Sequence, residues 1–182
     1  MRIAKTALGV AVLGSLLLSG ASAFGASAPA GGTIKVFVTP TNNGSGGTIV
    51  ITGAIGDYGK TFNANSAGKP EKKGGYEQLV LKKGTILVNG TQFNAATNNA
   101  NPTDFSAVTC SGTVVASAPA PIVSGTKAYA GIAGSVTLTA TYGFVGPFYT
   151  SGSKKGQCNT SGNGTPSGFF ASITGSGTVS FS

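Results

Sequence analysis

The composition of this 182-residue chain limits the chemistry open to it, because the chain has no histidine and no tryptophan and carries a formal charge of +8 at pH 7. Without histidine there is no Ser-His-Asp or Cys-His set, and two cysteines alone do not make a zinc site. We therefore expect neither a metal nor a cofactor. Thirty glycines and few charged residues, with many Thr, Ser and Val residues, favour an all-β domain with short turns.

The N-terminus has the pattern of a secretory signal peptide. Basic residues within 1–5 precede an apolar run at 7–18, and Ala21-Ser22-Ala23 offers a cleavage site. The apolar run is shorter than the ~20 residues that a membrane-spanning helix needs, so we expect a secreted or envelope protein without a membrane span. The predicted organisation is a signal peptide at 1–23, a disordered segment at 24–32 and one domain at 33–182.

The rest of the chain is predicted to form short strands separated by glycine- and asparagine-rich turns. Alternating polar and apolar residues predict strands at 33–39, 48–53, 76–81, 85–89, within 105–116, and at 135–142, 168–174 and 177–181. Segment 54–62 is expected to continue the second strand through a bulge. Ser117–Pro121 are expected to end the strand that lies within 105–116. Long loops are expected at 63–75, 92–104 and 143–164.

About eight strands without a strong helix suit a single closed antiparallel barrel, which can enclose a small ligand. Two other architectures stay open. An immunoglobulin-like sandwich has similar strands, although the Cys…Trp…Cys pattern is missing. An outer-membrane barrel needs strands of ~9–11 residues with aromatic girdles, whereas the predicted strands are mostly shorter.

Cys110 and Cys158 are the two cysteines of the chain. The oxidising compartment that a signal peptide implies favours a disulfide between them, which would stabilise the fold by about 4 kcal/mol in the chain-entropy model. The alternative is two free thiols. We predict that the bond holds loop 143–164 against the barrel near one mouth.

The glycine-rich segment 124–134, Ser-Gly-Thr-Lys-Ala-Tyr-Ala-Gly-Ile-Ala-Gly, is expected to be a turn in which Tyr129 plugs one end of the core. It resembles the Gly-Gly-Thr/Ser-Gly-x-Tyr/Phe-x-Gly-Ala-x-Gly segment of the allene oxide cyclase and dirigent barrels. Lys127 stands where that family usually has glycine, and Ile132 where it has alanine. Segment 70–77 resembles the Pro-Glu-Lys-Lys-Gly…Tyr-Glu segment of allene oxide cyclases, and 84–90 follows at a similar distance.

The resemblance extends roughly from residue 51 to residue 142 and implies a barrel with an apolar interior. Allene oxide cyclases cyclise an unsaturated fatty-acid epoxide there, and dirigent proteins hold phenoxy radicals for stereoselective coupling. The cyclases use a glutamate near the first strand and a cysteine shortly before the Pro-Glu-Lys-Lys segment. This chain has no carboxylate at 33–39 and no cysteine at 63–68, so the resemblance implies the barrel without that catalytic set.

Two carboxylates, Asp57 and Glu77, lie within apolar strand sequence and are the candidates for acid–base chemistry. Such chemistry requires burial in an apolar pocket, because desolvation raises the pKa of a carboxyl group. The alternative for each is a solvent-facing strand residue or a turn cap. Aromatic side chains on several strands either fill a core or line a ligand cavity. The tyrosines predicted to bind a ligand are Tyr58, Tyr76, Tyr129 and Tyr142.

Removal of the signal peptide leaves ten lysines and no arginine against four carboxylates. Six of the lysines are close in sequence: Lys60, Lys69, Lys72, Lys73, Lys82 and Lys83. Such a cluster either binds anionic surfaces weakly or aids solubility. Nucleic acid is not an expected partner, because no arginine is left to read bases.

The sequence thus predicts a secreted barrel that binds a small apolar or aromatic ligand or serves as an envelope or extracellular accessory protein. The alternative is an isomerase, a cyclase or a guide for radical coupling that uses a buried carboxylate.

Overall fold

The computed structural model describes residues 30–41, 46–161 and 165–182. The predicted signal peptide and all but the last three residues of the predicted disordered segment lie outside these ranges. Within them the elements follow in the order β1 (Gly32–Pro40), β2 (Gly47–Gly53), β3 (Asp57–Ala64), β4 (Tyr76–Leu81), β5 (Gly84–Asn89), α1 (Thr91–Asn99), β6 (Ser111–Gly125), a 3₁₀ turn (Lys127–Tyr129), β7 (Ile132–Val145) and β8 (Gly168–Phe181).

The strands form one closed barrel in which each pairs with its neighbours along the chain and β8 pairs with β1. All pairings are antiparallel. The predicted barrel is therefore present, and the sandwich is excluded. Short connections at 54–56, 82–83 and 126–131 define one end, the turn end. Longer connections, including 65–75, 90–110 and the one between β7 and β8, define the opposite loop end.

Alternation along the strands sorts side chains between the interior and the outer wall. Ile34 and Val36 of β1 lie beside Ile51 of β2, and all three are at most 5% exposed. Outward neighbours such as Phe37 and Val50 are about half exposed, at 46% and 48%. The core therefore lies inside the barrel, as the period of two requires.

Glycine on the inner face of β8 lets large side chains of β7 fill the interior. A Cβ at Gly175 would lie 2.7 Å from Cδ2 of Leu138 and 2.9 Å from Cγ1 of Val136. Both contacts are too close, so an alanine at this position would displace the two apolar side chains from the core. Part of the high glycine content is thus a packing requirement.

The pairing of β5 with β6 is the shortest in the barrel and is interrupted. Only Ile86, Leu87 and Val88 pair with β6, and the register shifts between Leu87 and Val88. Helix α1 begins two residues after β5 and packs on β6, so it lies beside this seam. Further along, Thr113 bonds through its backbone to the preceding loop rather than to another strand.

Two prolines of β6 fit this unpaired edge. The backbone N–H and C=O of Thr113 point away from β7, and Pro119 and Pro121 share its parity along the strand. A proline there removes no ladder hydrogen bond with β7 and gives no donor to a foreign strand. The prediction that Ser117–Pro121 end the strand was wrong, because β6 runs through both prolines to Gly125.

Three other element predictions need correction. Residues 91–99 form α1 instead of loop, although the segment is rich in asparagine, and its buried residue is Phe93. Segments 168–174 and 177–181 are one strand, β8, because glycine continues rather than breaks it. Conversely, β3 is a separate strand after a turn, with Gly53 and Gly56 at positive φ, and not a continuation of β2. Two predicted strands are joined in β8, and one predicted strand is divided into β2 and β3, so the predicted count of eight strands holds.

Candidate functional site

Asp57 lies at the turn end, where β3 begins, and is 6% exposed. Its carboxylate accepts three hydrogen bonds: from Tyr129 Oη at 2.5 Å, from Tyr58 N at 2.7 Å and from Lys83 N at 2.9 Å. Burial is the largest single effect and favours the neutral acid, but the hydrogen bonds together outweigh it and lower the pKa of Asp57.

These contacts give Asp57 a structural role. The carboxylate ties the start of β3 to the β4–β5 turn and, through Tyr129, to the 3₁₀ turn. Burial and the nearby Asp57 charge raise the pKa of Tyr129, so its hydroxyl stays protonated and keeps donating. Tyr129 is 0% exposed and plugs this end of the core, as predicted. Ionised Asp57 has no proton to donate, and its oxygens already accept three hydrogen bonds, which leaves the carboxylate poorly placed to take a proton from a substrate.

Glu77 lies at the other end of the barrel, as the second residue of β4. Strand alternation places it on the inner face with the buried Leu79 and Leu81, between Asn63 of β3 and Val88 of β5. The side chain is largely buried, and desolvation raises the pKa of Glu77 to about 7. The two candidate carboxylates therefore lie at opposite ends and do not form a pair.

One oxygen of Glu77 is unsatisfied. Oε2 is buried and accepts no hydrogen bond from any residue that the structure describes. The amide of Asn63, on the neighbouring strand, is directed to the loop instead, where Nδ2 donates to the carbonyl of Lys72 at 3.3 Å. An unsatisfied buried acceptor costs about 1–3 kcal/mol, so a hydrogen-bond donor placed at Oε2 would be stabilising.

Aromatic side chains gather at the loop end, where β6, β7 and β8 are longer than the other strands. Tyr142 and Phe169 stack with ring centroids 6.0 Å apart and an interplanar angle of 24°. Phe144 lies directly opposite Phe169 in the β7–β8 register, and burial raises the pKa of Tyr142. An open groove of about 440 Å³ is lined by residues that include Asp104, Gly112, Thr113, Phe144, Phe169 and Phe170.

The other tyrosines predicted to bind a ligand lie elsewhere. Tyr58 is on the outer wall, 58% exposed, with Lys82 Nζ 5.5 Å from its ring centroid. Tyr76 alternates with Glu77 and so faces outward at the start of β4. Tyr129 is enclosed at the turn end. Of the four, Tyr142 is the one that the structure places on the inner face at the loop end.

The predicted disulfide is present. Cys110 and Cys158 are bonded with their Cα atoms 5.2 Å apart. Cys110 directly precedes β6, and its carbonyl accepts a hydrogen bond from Gly146 N at 2.6 Å. The backbone of Cys158 pairs with that of Phe148 in an isolated antiparallel β-bridge. The bond therefore ties the β7–β8 connection to the start of β6 at the loop end, as the sequence predicted.

The six clustered lysines lie on the β3–β5 side of the molecule. Lys60 is in β3, Lys82 and Lys83 form the β4–β5 turn, and the other three are in the connection between β3 and β4. Within the described ranges no helix is long and apolar enough to cross a membrane.

Sequence reasoning missed two parts of the loop end. Phe144 and Phe169 were not separated from the other aromatic residues, because their grouping depends on the β7–β8 register. Phe93 was missed because its segment has no apolar period. Its isolation as the one large apolar side chain of segment 91–99 was the available signal for a packed element.

Comparisons with known proteins give no relative: no family model, no curated protein and no solved structure matches this chain. The relation to allene oxide cyclase and dirigent barrels therefore stays a prediction from segments 70–77 and 124–134.

Proposed function

We propose that this protein is an exported barrel that binds a small, mainly apolar ligand carrying a neutral hydroxyl group, with Glu77 as the hydrogen-bonding partner of that hydroxyl. One observation carries the proposal: Oε2 of Glu77 is buried on the inner face and has no partner among the described residues. A hydroxyl donor would satisfy that oxygen and recover the cost of leaving it unpaired.

The state of Glu77 favours a neutral ligand over a fatty acid. With a pKa of about 7 the group is partly ionised at neutral pH. A ligand carboxylate beside it would add a second negative charge in a poorly solvated place, which is unfavourable. A phenol or an alcohol adds no charge and can either donate to the carboxylate or accept from the neutral acid.

Aromatic residues at the same end support an aromatic ligand. Tyr142, Phe144 and Phe169 share the inner face of the long strands, and Phe169 is 55% exposed. Neither of the two grooves described includes Glu77 in its lining. Binding at Glu77 therefore requires the loop end to open. We propose that α1 moves because it is short; its N-cap residue Gly90 has no side chain, and Thr91 N donates to Asn89 Oδ1 at 3.0 Å instead.

The test compares 4-propylphenol with 4-propylanisole, which has the same ring and chain but a methyl ether in place of the hydroxyl donor, and with decanoate. We expect the phenol to bind at least tenfold more tightly than the other two by calorimetry, and Glu77→Gln to weaken phenol binding at least tenfold. Glu71→Gln is the control, since Glu71 is an exposed loop carboxylate. Equal binding of phenol and anisole, or no binding of any of the three, would overturn the proposal.

A second candidate is an isomerase or cyclase in which Glu77 moves the proton. The observation that favours it is the pKa of about 7, which suits a group that must both accept and donate a proton near neutrality. Unsaturated epoxides and β,γ-unsaturated ketones incubated with the protein would be isomerised by the wild type and not by Glu77→Gln. If Glu77→Gln loses ligand binding and the wild type isomerises none of these compounds, only the binding role remains.

Export is part of the proposal. Its supports are the signal-peptide pattern at 1–23 and the disulfide between Cys110 and Cys158. Protein recovered from the medium or the cell envelope of its source should begin at Phe24 by intact mass. Full-length protein retained with reduced cysteines would contradict it.

A further inference from the structure

The outer wall formed by β7 and β8 carries a regular array of hydroxyl groups. Residues of the same parity on the two strands are Ser or Thr at four successive positions, and the register places them directly opposite one another. The pairs are Ser135–Thr178, Thr137–Ser176, Thr139–Thr174 and Thr141–Ser172. We call this array the hydroxyl ladder.

The ladder continues onto both neighbouring strands. Phe37 of β1 lies opposite Thr174, and Lys35 lies opposite Ser176. On the other side Ser117 of β6 lies opposite Thr139, with their hydroxyl oxygens 3.0 Å apart. A groove of about 430 Å³ runs over this wall, lined by Lys35, Phe37, Thr137, Thr139, Thr174 and Ser176 around the backbone of Gly175.

Sheet geometry makes the ladder a pre-ordered surface. Neighbouring strands lie about 4.8 Å apart, and same-face residues along one strand about 6.8 Å apart, so the hydroxyls form a fixed grid. Threonine has few χ1 rotamers, which reduces the entropy lost when its hydroxyl is bound. Each hydroxyl is both a donor and an acceptor. None of the residues that line the groove is acidic.

We propose that this groove binds a chain of a neutral polysaccharide. A sugar ring has a rim of hydroxyls and an apolar face of C–H groups. The ladder offers that rim both donors and acceptors. Phe37, 46% exposed at the edge of the groove, matches the apolar face and removes it from water.

The charge distribution favours a neutral chain over an anionic one. Six lysines lie on the β3–β5 side, whereas the groove has Lys35 as its one cation. A polyanion would be attracted more strongly to the lysine-rich β3–β5 side than to this groove. The right-handed twist of the wall also favours a single chain in solution, which can twist with it, over a flat crystalline surface.

Cellohexaose and chitohexaose are suitable neutral probes, and a heparin hexasaccharide is the anionic one. We expect at least one neutral probe to shift the backbone amide signals of β7, β8 and β1 in NMR spectra, with heparin shifting those of β3–β5 if it binds. Phe37→Ala and the double variant Thr139→Val, Thr174→Val should each weaken binding of the neutral probe at least tenfold.

Two controls separate recognition from general damage. Val80→Ala changes an exposed outer side chain on β4, three strands away from Phe37, and should bind as the wild type does. Phe37→Ala removes a large side chain and could disturb the wall. The double variant should keep the wall intact, because threonine and valine have similar shapes. The proposal is overturned if no neutral probe shifts this wall, if heparin alone binds it, or if both variants bind the neutral probe as the wild type does.

Discussion

Tyr129 and Asp57 are 72 residues apart in sequence, and a hydrogen bond of 2.5 Å joins the tyrosine hydroxyl to the Asp57 carboxylate in the buried turn end. This bond links the glycine-rich turn between β6 and β7 to the start of β3, so two distant parts of the barrel depend on each other.

Replacement of Tyr129 by Phe tests that link. The ring is kept and the donor is lost, so we expect unfolding to need about 1.5–3 kcal/mol less free energy, as for other hydrogen bonds to charged groups. Urea denaturation measures the change. Tyr58→Phe is the control because its ring is on the outer wall, and its effect should be within about 0.5 kcal/mol. Equal effects of the two variants would show that the bond adds nothing.

The pH dependence of stability should distinguish the two carboxylates. The pKa of Glu77 is raised on folding, from 4.5 to about 7, so the folded state holds a proton that the unfolded chain releases between these values. Stability therefore falls as pH rises from about 4.5 to 7. The pKa of Asp57 is lowered, so its contribution is present above the unfolded value and is lost as pH falls through the folded one.

Glu77→Gln separates these effects experimentally. In the variant, the unfolding free energy should no longer fall between pH 5 and pH 8. It should still fall in acid, because that effect belongs to Asp57. Urea midpoints at pH 5 and pH 8 measure this, with Glu71→Gln as the exposed control. A wild-type midpoint that stays constant or rises over this range would contradict the assignment.

Reduction of the disulfide should loosen the loop end before the sheet. The bond between Cys110 and Cys158 ties the β7–β8 connection to β6, and its loss should cost up to about 4 kcal/mol. Hydrogen exchange at 146–161 should become at least tenfold faster in Cys110→Ser, Cys158→Ser, with little change in β4 and β5. Uniform acceleration across the barrel would show that the bond supports the whole sheet instead.

Lys127 has a φ of 54°, in the left-handed region that favours glycine. Relief of the strain exceeds the added entropy of an unfolded glycine, so Lys127→Gly should stabilise by about 0.5–1 kcal/mol. The next residue gives a matched control, because Ala128→Gly has no strain to relieve and should destabilise. Opposite signs for the two variants are the expected result, and destabilisation by both would refute the argument.

The sequence carried the local features of the fold more fully than the long-range ones. The β4–β5 hairpin, the turn around Tyr129 and the disulfide follow from short patterns and composition. The length of β6 did not, because Pro119 and Pro121 are allowed only where the barrel leaves that edge unpaired. Glycine on β8 was likewise interpreted as a break, whereas packing of Leu138 against Gly175 requires it.

The candidate site was predictable only in part for the same reason. Asp57 and Glu77 have similar sequence surroundings, and both were candidates. Their difference comes from position: hydrogen-bond donors from three separate elements meet at Asp57, while none meets Glu77 Oε2 in the described part of the chain. The hydroxyl ladder was also hidden, since its pairs exist only once β7 and β8 are in register.

The most direct test of the Glu77 site is the pKa of that one carboxyl group. A ¹³C NMR titration of side-chain carboxyl signals, with Glu77→Gln to assign the resonance, gives the value in the intact protein. Burial without a partner raises the pKa, so we expect a midpoint of about 7, and addition of 4-propylphenol should move both the signal and its midpoint. A midpoint near 4.5, unchanged by the phenol, would show a solvated or satisfied carboxylate and contradict the site.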